Sequence, residues 1–353
     1  MYRRTSARGT RSRVRPSLVA SALVALAAAG LAACGGSGGG GGDTITLYNG
    51  QHVQTTDALV QAFEEQTGID VLVHTDDESV LADQIVTEGG RSPADVFFTE
   101  NTPALAYLQD KHLLAHLDTS TRTTTQARYN SAQGDWVGIS ARVSVIVYNP
   151  ALVKASDVPT SVLQLAEPRY RGLLALAPGE TDFQPIVTSV LRARGKAATV
   201  AWLEGMKANA AGHIYPDNET IVSEVNRGQV AIGVINQYYW YRLRAEIGAS
   251  AMHAVITTFA PRDPGYVIDV SGAAVLASSQ HRADATRFVQ FLTTKKAQEI
   301  IGHGDSFEYP IDAGVMTAAP ETPFSRLQPN SITLSQLGDG AAAVALLLEV
   351  QLL

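Results

Sequence analysis

The hydrophobic pattern of the chain alternates between two periods. Residues 44–48 (TITLY) place polar and apolar side chains in turn, the two-residue period of a strand. Across residues 56–67, Leu59 and Phe63 lie one helical turn apart, and Gly68 follows as a stop. Residues 69–74 read as a second strand. Asp77 can cap a helix through Val86 with Leu81 and Ile85 on one face, and 95–98 is a third strand. This β-α-β-α-β order predicts an open, largely parallel sheet with helices on its faces. Two more strands follow at 136–139 and 143–148. The pattern then restarts with a strand at 173–176, helices at 183–194, 200–209 and 220–227, and a strand at 230–235. Strands at 266–270 and 273–276, a helix over 284–292 and an apolar helical tail from Ala341 complete the chain. A second α/β unit is the simplest account, and two α/β lobes imply a cleft between them.

The first 33 residues break this pattern. Arg3, Arg4, Arg8, Arg11, Arg13 and Arg15 precede an apolar stretch, 18–33, interrupted only by Ser21 and Gly30. It is short of the ~20 residues a membrane span needs, so residues 1–33 read as a secretion signal. Leu31-Ala32-Ala33-Cys34 resembles the lipobox of bacterial lipoproteins, which is cut before the cysteine and acylated there. Cys34 is the single cysteine, which excludes an intrachain disulfide, and the Gly/Ser-rich run after it reads as a flexible tether over 34–43. The expected location is the extracytoplasmic face of the cell membrane, with a lipid anchor on Cys34.

Removing the signal also changes the charge. Six of 27 basic residues leave with it, so 21 remain against 34 acidic ones, a net of −13. Nucleic acid is excluded as a partner, because phosphate neutralisation needs a basic surface. An acidic body suits the capture of cations or small solutes.

Ligands of open α/β sheets sit beyond the carboxyl ends of strands. Those exits here read Asn49-Gly50-Gln51-His52, Thr99-Glu100-Asn101, Ser140-Ala141-Arg142 and Asn236-Gln237-Tyr238-Tyr239. His52, Glu100, Tyr238 and Tyr239 together make a candidate metal site. Soft metals want thiolate, zinc favours His and Cys, and calcium wants several carboxylates and carbonyls. A phenol ionises near pH 10, so two phenolates at neutral pH demand a strongly Lewis-acidic ion. Fe³⁺ meets that demand, and one carboxylate with two phenolates balances its charge. Taken in isolation, a tyrosine pair beside Trp240 and Tyr241 is more often packing. Both phenols reach one site only if the chain turns from strand to helix between them and the strand.

Other candidates carry less. His112 and His116 have the spacing of a metal pair on a helix, but leucine and alanine surround them. Asp76-Asp77-Glu78 reads as helix capping, and Asp263-Pro264-Gly265 as a turn. Zincin, nucleophile-elbow, P-loop and CxxC motifs are absent from the sequence. An anchored hydrolase with Glu100 opposite Glu180 or Asp182 therefore lacks a supporting motif.

The blocks TITLYNGQH, EGGRSPADVFFTEN, DWVGISARVSVIVYNP, AIGVINQYYWY and RDPGYVIDVSGAAVL resemble the ferric-iron-binding proteins of bacterial ABC importers. The resemblance runs in order from about Thr44 to the C-terminus. It implies the two-lobed type II periplasmic binding protein fold, an α/β architecture with a hinge between lobes. The family's His, Glu and adjacent Tyr ligands fall on His52, Glu100, Tyr238 and Tyr239. Its synergistic anion, carbonate or phosphate, would be held by Asn218 and Asn236, with Asn101 contributing. The small-residue loop that cradles phosphate in some members is replaced here by Pro178-Gly179-Glu180-Thr181-Asp182-Phe183. That departure leaves three readings. The loop lies away from the site; the anion is carbonate or absent, with Arg142 as a partner; or an acidic residue of the loop acts on the metal. Family crossings imply lobe one over 44–142 plus 268–316 and lobe two over 143–267 plus 317–353. The implied partners are the importer's permease and its ATPase, and the implied state is a monomeric, non-enzymatic binding protein. The same fold also carries organic ligands such as thiamine or phosphonates, which would not need the four metal-binding residues.

Overall fold

The computed structural model describes residues 44–123, 125–312, 314–319 and 322–353. Its strands are β1 (Thr44–Gly50), β2 (Asp70–Thr75), β3 (Val96–Thr99), β4 (Val137–Tyr148), β5 (Leu174–Ala175), β6 (Ile232–Asn236), β7 (Val255–Thr258), β8 (Ile268–Val275) and β9 (Tyr309–Pro310). They run in the order β2-β1-β3-β8-β4-β6-β5, with β7 and β9 also pairing with β4. The signal segment and Cys34 lie outside the described residues. Among the described residues, no helix is long and apolar enough to cross a membrane.

The sheet is mixed rather than largely parallel. β1 pairs in parallel with β2 and β3, and β5 with β6, while every pairing of β4 and β8 is antiparallel. The expected break between strands 136–139 and 143–148 is not there. β4 is one twelve-residue strand, buried at every position. Val137–Val143 pair with β8, and from Ser144 onward the partners become β6 and β7. Ser140-Ala141-Arg142 is thus mid-strand and not a strand exit. The charge in its middle is tolerated because Arg142 meets a buried carboxylate, described below. β8 likewise runs unbroken through the predicted gap at Ser271-Gly272. These two strands together tie the β1–β3 half of the sheet to the β5–β7 half.

Helices cover the sheet from both faces. The helix Val53–Thr67 buries Leu59, Val60 and Phe63, and ends on Gly68 at φ 71°, the left-handed stop the sequence predicts. Phe63 meets Phe288 edge-on at 5.0 Å, joining this helix to Arg282–Leu292. The helix Glu78–Glu88 starts on Asp77, whose Oδ1 accepts from the Ser79 and Val80 amides at 2.8 and 3.3 Å. The predicted His112/His116 helical pair does not form. The helix Thr102–Asp110 ends before it, and His112 takes φ 58°. His116 instead faces Asp135 at 3.3 Å on the surface.

Candidate metal centre

Three strand ends bring the polar residues together. β1 ends at Gly50 and the chain enters the helix Val53–Thr67 through His52, its N-cap. β3 ends at Thr99, which puts Glu100 and Asn101 ahead of the helix Thr102–Asp110. β6 ends at Asn236, the N-cap of the helix Gln237–Ile247, so Tyr238 and Tyr239 fall in its first turn. That strand-to-helix turn lets adjacent tyrosines share one site. Their rings lie 4.1 Å apart at 35°. Glycine at position 50 lets the end of β1 pass close to Glu78, because a Cβ there would stand 2.6 Å from the Glu78 Cβ.

The four predicted metal-binding residues converge. Tyr238 is fully buried and its hydroxyl donates to Glu100 Oε1 at 2.6 Å, with Asp182 Oδ2 at 3.3 Å. Tyr239 donates to Asp182 Oδ2 at 2.9 Å. His52 Nε2 stands 3.4 Å from Glu100 Oε1 but has no hydrogen-bond partner, and the imidazole edge packs on Tyr238 at 5.3 Å. An orphaned buried ring nitrogen beside a carboxylate and two phenols leaves a lone pair aimed where a cation could sit. Among the described residues no cluster of three or more His, Cys, Asp or Glu side chains could hold a metal. Any coordination here therefore depends on the phenols.

Electrostatics point the same way. Burial first, then Arg242 and Arg142, push the His52 imidazole down to about 3 against the opposing pull of Glu308, so it is neutral. Burial, then the Asp182 and Glu100 carboxylates, hold both phenols well above their usual range. Burial and Glu100 likewise raise Asp182. Burial and neighbouring carboxylates thus favour the protonated forms of the two phenols and of Asp182. A bound ion inverts that logic.

The remaining predicted residues occupy a second layer. Arg142 is wholly buried. It pairs with the equally buried Glu308, donates to Asn101 Oδ1 at 2.9 Å, and lies 3.5 Å from Glu100 Oε1. Its charge is met by Glu308 rather than left free for an anion. Asn101 also donates to Glu78 Oε1 and Thr181 Oγ1, both at 3.1 Å. Asn218 Nδ2 donates to Asp182 Oδ2 at 3.2 Å, and Asn236 lines the same small cavity.

Three further positions support the centre, and the sequence assigns none of them its observed partners. Asp182, in a short turn Thr181–Phe183 before the helix Gln184–Arg194, accepts from both phenols. Glu78 is a capping residue by sequence, yet its buried carboxylate accepts from the Glu100 and Asn101 amides at 2.9 and 2.8 Å and so fixes the β3 exit. Glu308 comes from a distant loop. Only the two acids of the 178–183 stretch give a local signal. In front of the centre opens a cleft of about 990 Å³ lined by His52, Glu100, Glu219, Tyr239, Arg242 and Phe307.

Residues 49–299 match the bacterial extracellular solute-binding protein family. The chain is 38% identical over 309 residues to the Fe(3+)-binding periplasmic protein of Serratia marcescens, covering 88% of this chain and 90% of that one. Iron-bound HitA from Pseudomonas aeruginosa superposes with a TM-score of 0.82 at 37% identity, over 87% of this chain and 99% of its own. The Trichodesmium protein solved with iron and citrate ligands does so with 0.78 at 27% identity, over 87% and 99%. Fold and sequence agree: this two-lobed chain belongs to the ferric-iron-binding periplasmic proteins, within the bacterial extracellular solute-binding protein family.

Proposed function

We propose that this chain captures Fe³⁺ with His52, Glu100, Tyr238 and Tyr239 and carries it to the permease of an ABC importer without performing a reaction. The observation that carries the reading is the meeting of two buried phenols with a carboxylate and an orphaned imidazole nitrogen. These are hard donors of the kind a trivalent ion selects. The names of the relatives, a Fe(3+)-binding protein and an iron-bound one, support the same cargo.

The lobes of this reading are 44–142 plus 268–316 and 143–267 plus 317–353. His52 and Glu100 then come from the first and the tyrosine pair from the second, so the ion clamps one lobe to the other. The change of β4 partners at Val143/Ser144 supports one crossing there. Closure around an ion is a shape that a permease can distinguish from the open form. Residues 1–33 act as the signal, and lipidated Cys34 with the 34–43 tether holds a monomeric binding protein at the extracytoplasmic membrane face.

Equilibrium loading tests this reading. Purified protein given Fe³⁺ as a chelate takes up one ion per chain and gains a visible phenolate-to-iron band. Tyr238→Phe and Tyr239→Phe each weaken it. A folded wild type that remains colourless and iron-free would reject the reading.

A further inference from the structure

We propose that Phe307 is a positioning residue that latches the tyrosine-bearing helix to the first lobe and so sets how long the cleft holds its ion. The inference rests on the iron reading above and on its two lobes, which assign Phe307 to 268–316 and the helix Gln237–Ile247 to 143–267. Among the described residues, His112, Arg262, Phe307 and Gln351 are the non-glycine positions with positive φ. Phe307, at 56°, is the apolar one of these and borders the cleft. A left-handed backbone is unfavourable for a bulky side chain and persists where its surroundings enforce it.

Contacts on both sides enforce it. The Phe307 ring stacks on Tyr241, with centroids 6.0 Å apart and planes at 26°. The Phe307 carbonyl accepts from Gln237 Nε2 at 3.1 Å, and Oε1 of the same amide accepts from the Val143 amide at 2.8 Å. Gln237 and Tyr241 bracket the tyrosine pair on one helix, so holding them holds the two phenols. Behind Phe307 the chain is fixed to the first lobe. Glu308 is paired with the buried Arg142, and Tyr309 and Pro310 pair with Ala141 and Ser140 of β4.

The ring also has room to leave. The cleft lies on one side of it, and a cavity of about 310 Å³ lined by Tyr241, Arg244, Ala245 and Ala319 on the other. The half-buried Phe307 therefore swings off Tyr241 without disturbing the packed strands. Closure on an ion seats the ring and imposes the left-handed backbone, and opening relieves both. The stack slows release, while the backbone cost keeps the closed form from becoming permanent. The two effects have opposite signs, so substitutions separate them. Alanine removes the ring and keeps the backbone cost; glycine removes both.

The test is the rate of iron release. Protein loaded with Fe³⁺ is mixed with excess chelator at fixed pH and buffer composition, and the decay of the visible band is followed. Phe307→Ala is expected to release iron about fivefold faster than the wild type. Phe307→Gly is expected to release it about five- to tenfold more slowly than Phe307→Ala. Tyr241→Leu removes the stacking partner, so it should speed release to a similar degree, and adding Phe307→Ala to it should change the rate by less than about twofold. A structural defect unrelated to the stack would instead add to the first. Phe307→Ala releasing at the wild-type rate would overturn the proposal, as would fully additive effects of the two substitutions, or Phe307→Gly releasing as fast as Phe307→Ala. Should Phe307→Ala fail to fold by circular dichroism, Tyr241→Leu decides: faster release supports the latch and an unchanged rate overturns it. A wild type that never develops the band sinks the iron reading itself, whereas one that loads normally with rates indifferent to Phe307 sinks the latch alone.

Discussion

Iron affinity of this protein should fall by about two powers of ten for each pH unit below neutrality. Both phenols are protonated in the metal-free centre: each donates to a carboxylate, and burial with those carboxylates holds each well above the usual phenol range. An ion bound as phenolate must displace both protons. Linkage then gives a slope of two in log K against pH, about 2.7 kcal/mol per unit. Any proton on Asp182 steepens the slope, because burial and Glu100 raise that carboxyl too. His52 contributes nothing in this window, since burial keeps it neutral with a value near 3. Competition for Fe³⁺ against a chelator of known proton affinities, between about pH 6 and pH 7.5, measures the slope. Tyr239→Phe removes one displaceable proton and should bring it down by about one. A wild-type slope near zero, or one that Tyr239→Phe leaves unchanged, would refute the reasoning.

Other consequences concern the supports of the centre. Asp269 is buried on β8 and burial raises it from 3.8 to about 6, so the unfolded chain ionises it first as pH climbs. Its contribution to metal-free stability is intact below about pH 3.8 and lost above about pH 6, on the order of 3 kcal/mol. Asp269→Asn should flatten that stretch of the stability curve in denaturant titrations. Replacing Glu308 with Gln strands the Arg142 charge in a fully buried site and should cost about 3–5 kcal/mol, while Arg142→Met with Glu308→Leu recovers a good part of it; urea midpoints decide. Gly50→Ala drives a methyl into Glu78 and should cost about 1–3 kcal/mol by thermal unfolding, with weaker iron loading because His52 lies two residues on.

Local signals in the chain reached the exits of β1, β3 and β6 and the tyrosine pair, because alternation, glycine stops and capping are short-range properties. Gly68 and Asp77 behave as their types predict. β4 was not legible as one strand, since Ser140 and Arg142 break its apolar run and only a tertiary partner, Glu308, makes them compatible with burial. Glu308 lies 166 residues from Arg142, a separation at which no pattern in one sequence speaks. Asp182 was half visible: the acidic residues of its turn mark a departure from a phosphate cradle. The Asp182 carboxylate is held by hydrogen bonds from Tyr238, Tyr239 and Asn218, all distant in sequence. Glu78 carries both a capping spacing and a structural load, and the spacing masks the load.

The central claim is that one ferric ion sits among His52, Glu100, Tyr238 and Tyr239. Crystals of the iron-loaded protein measured at the iron absorption edge test it most directly. A single anomalous peak within bonding distance of His52 Nε2, a Glu100 carboxylate oxygen and both phenol oxygens is the predicted result. A peak elsewhere in the cleft with the Tyr238–Glu100 hydrogen bond intact, or no peak in protein that has taken up iron, would contradict it.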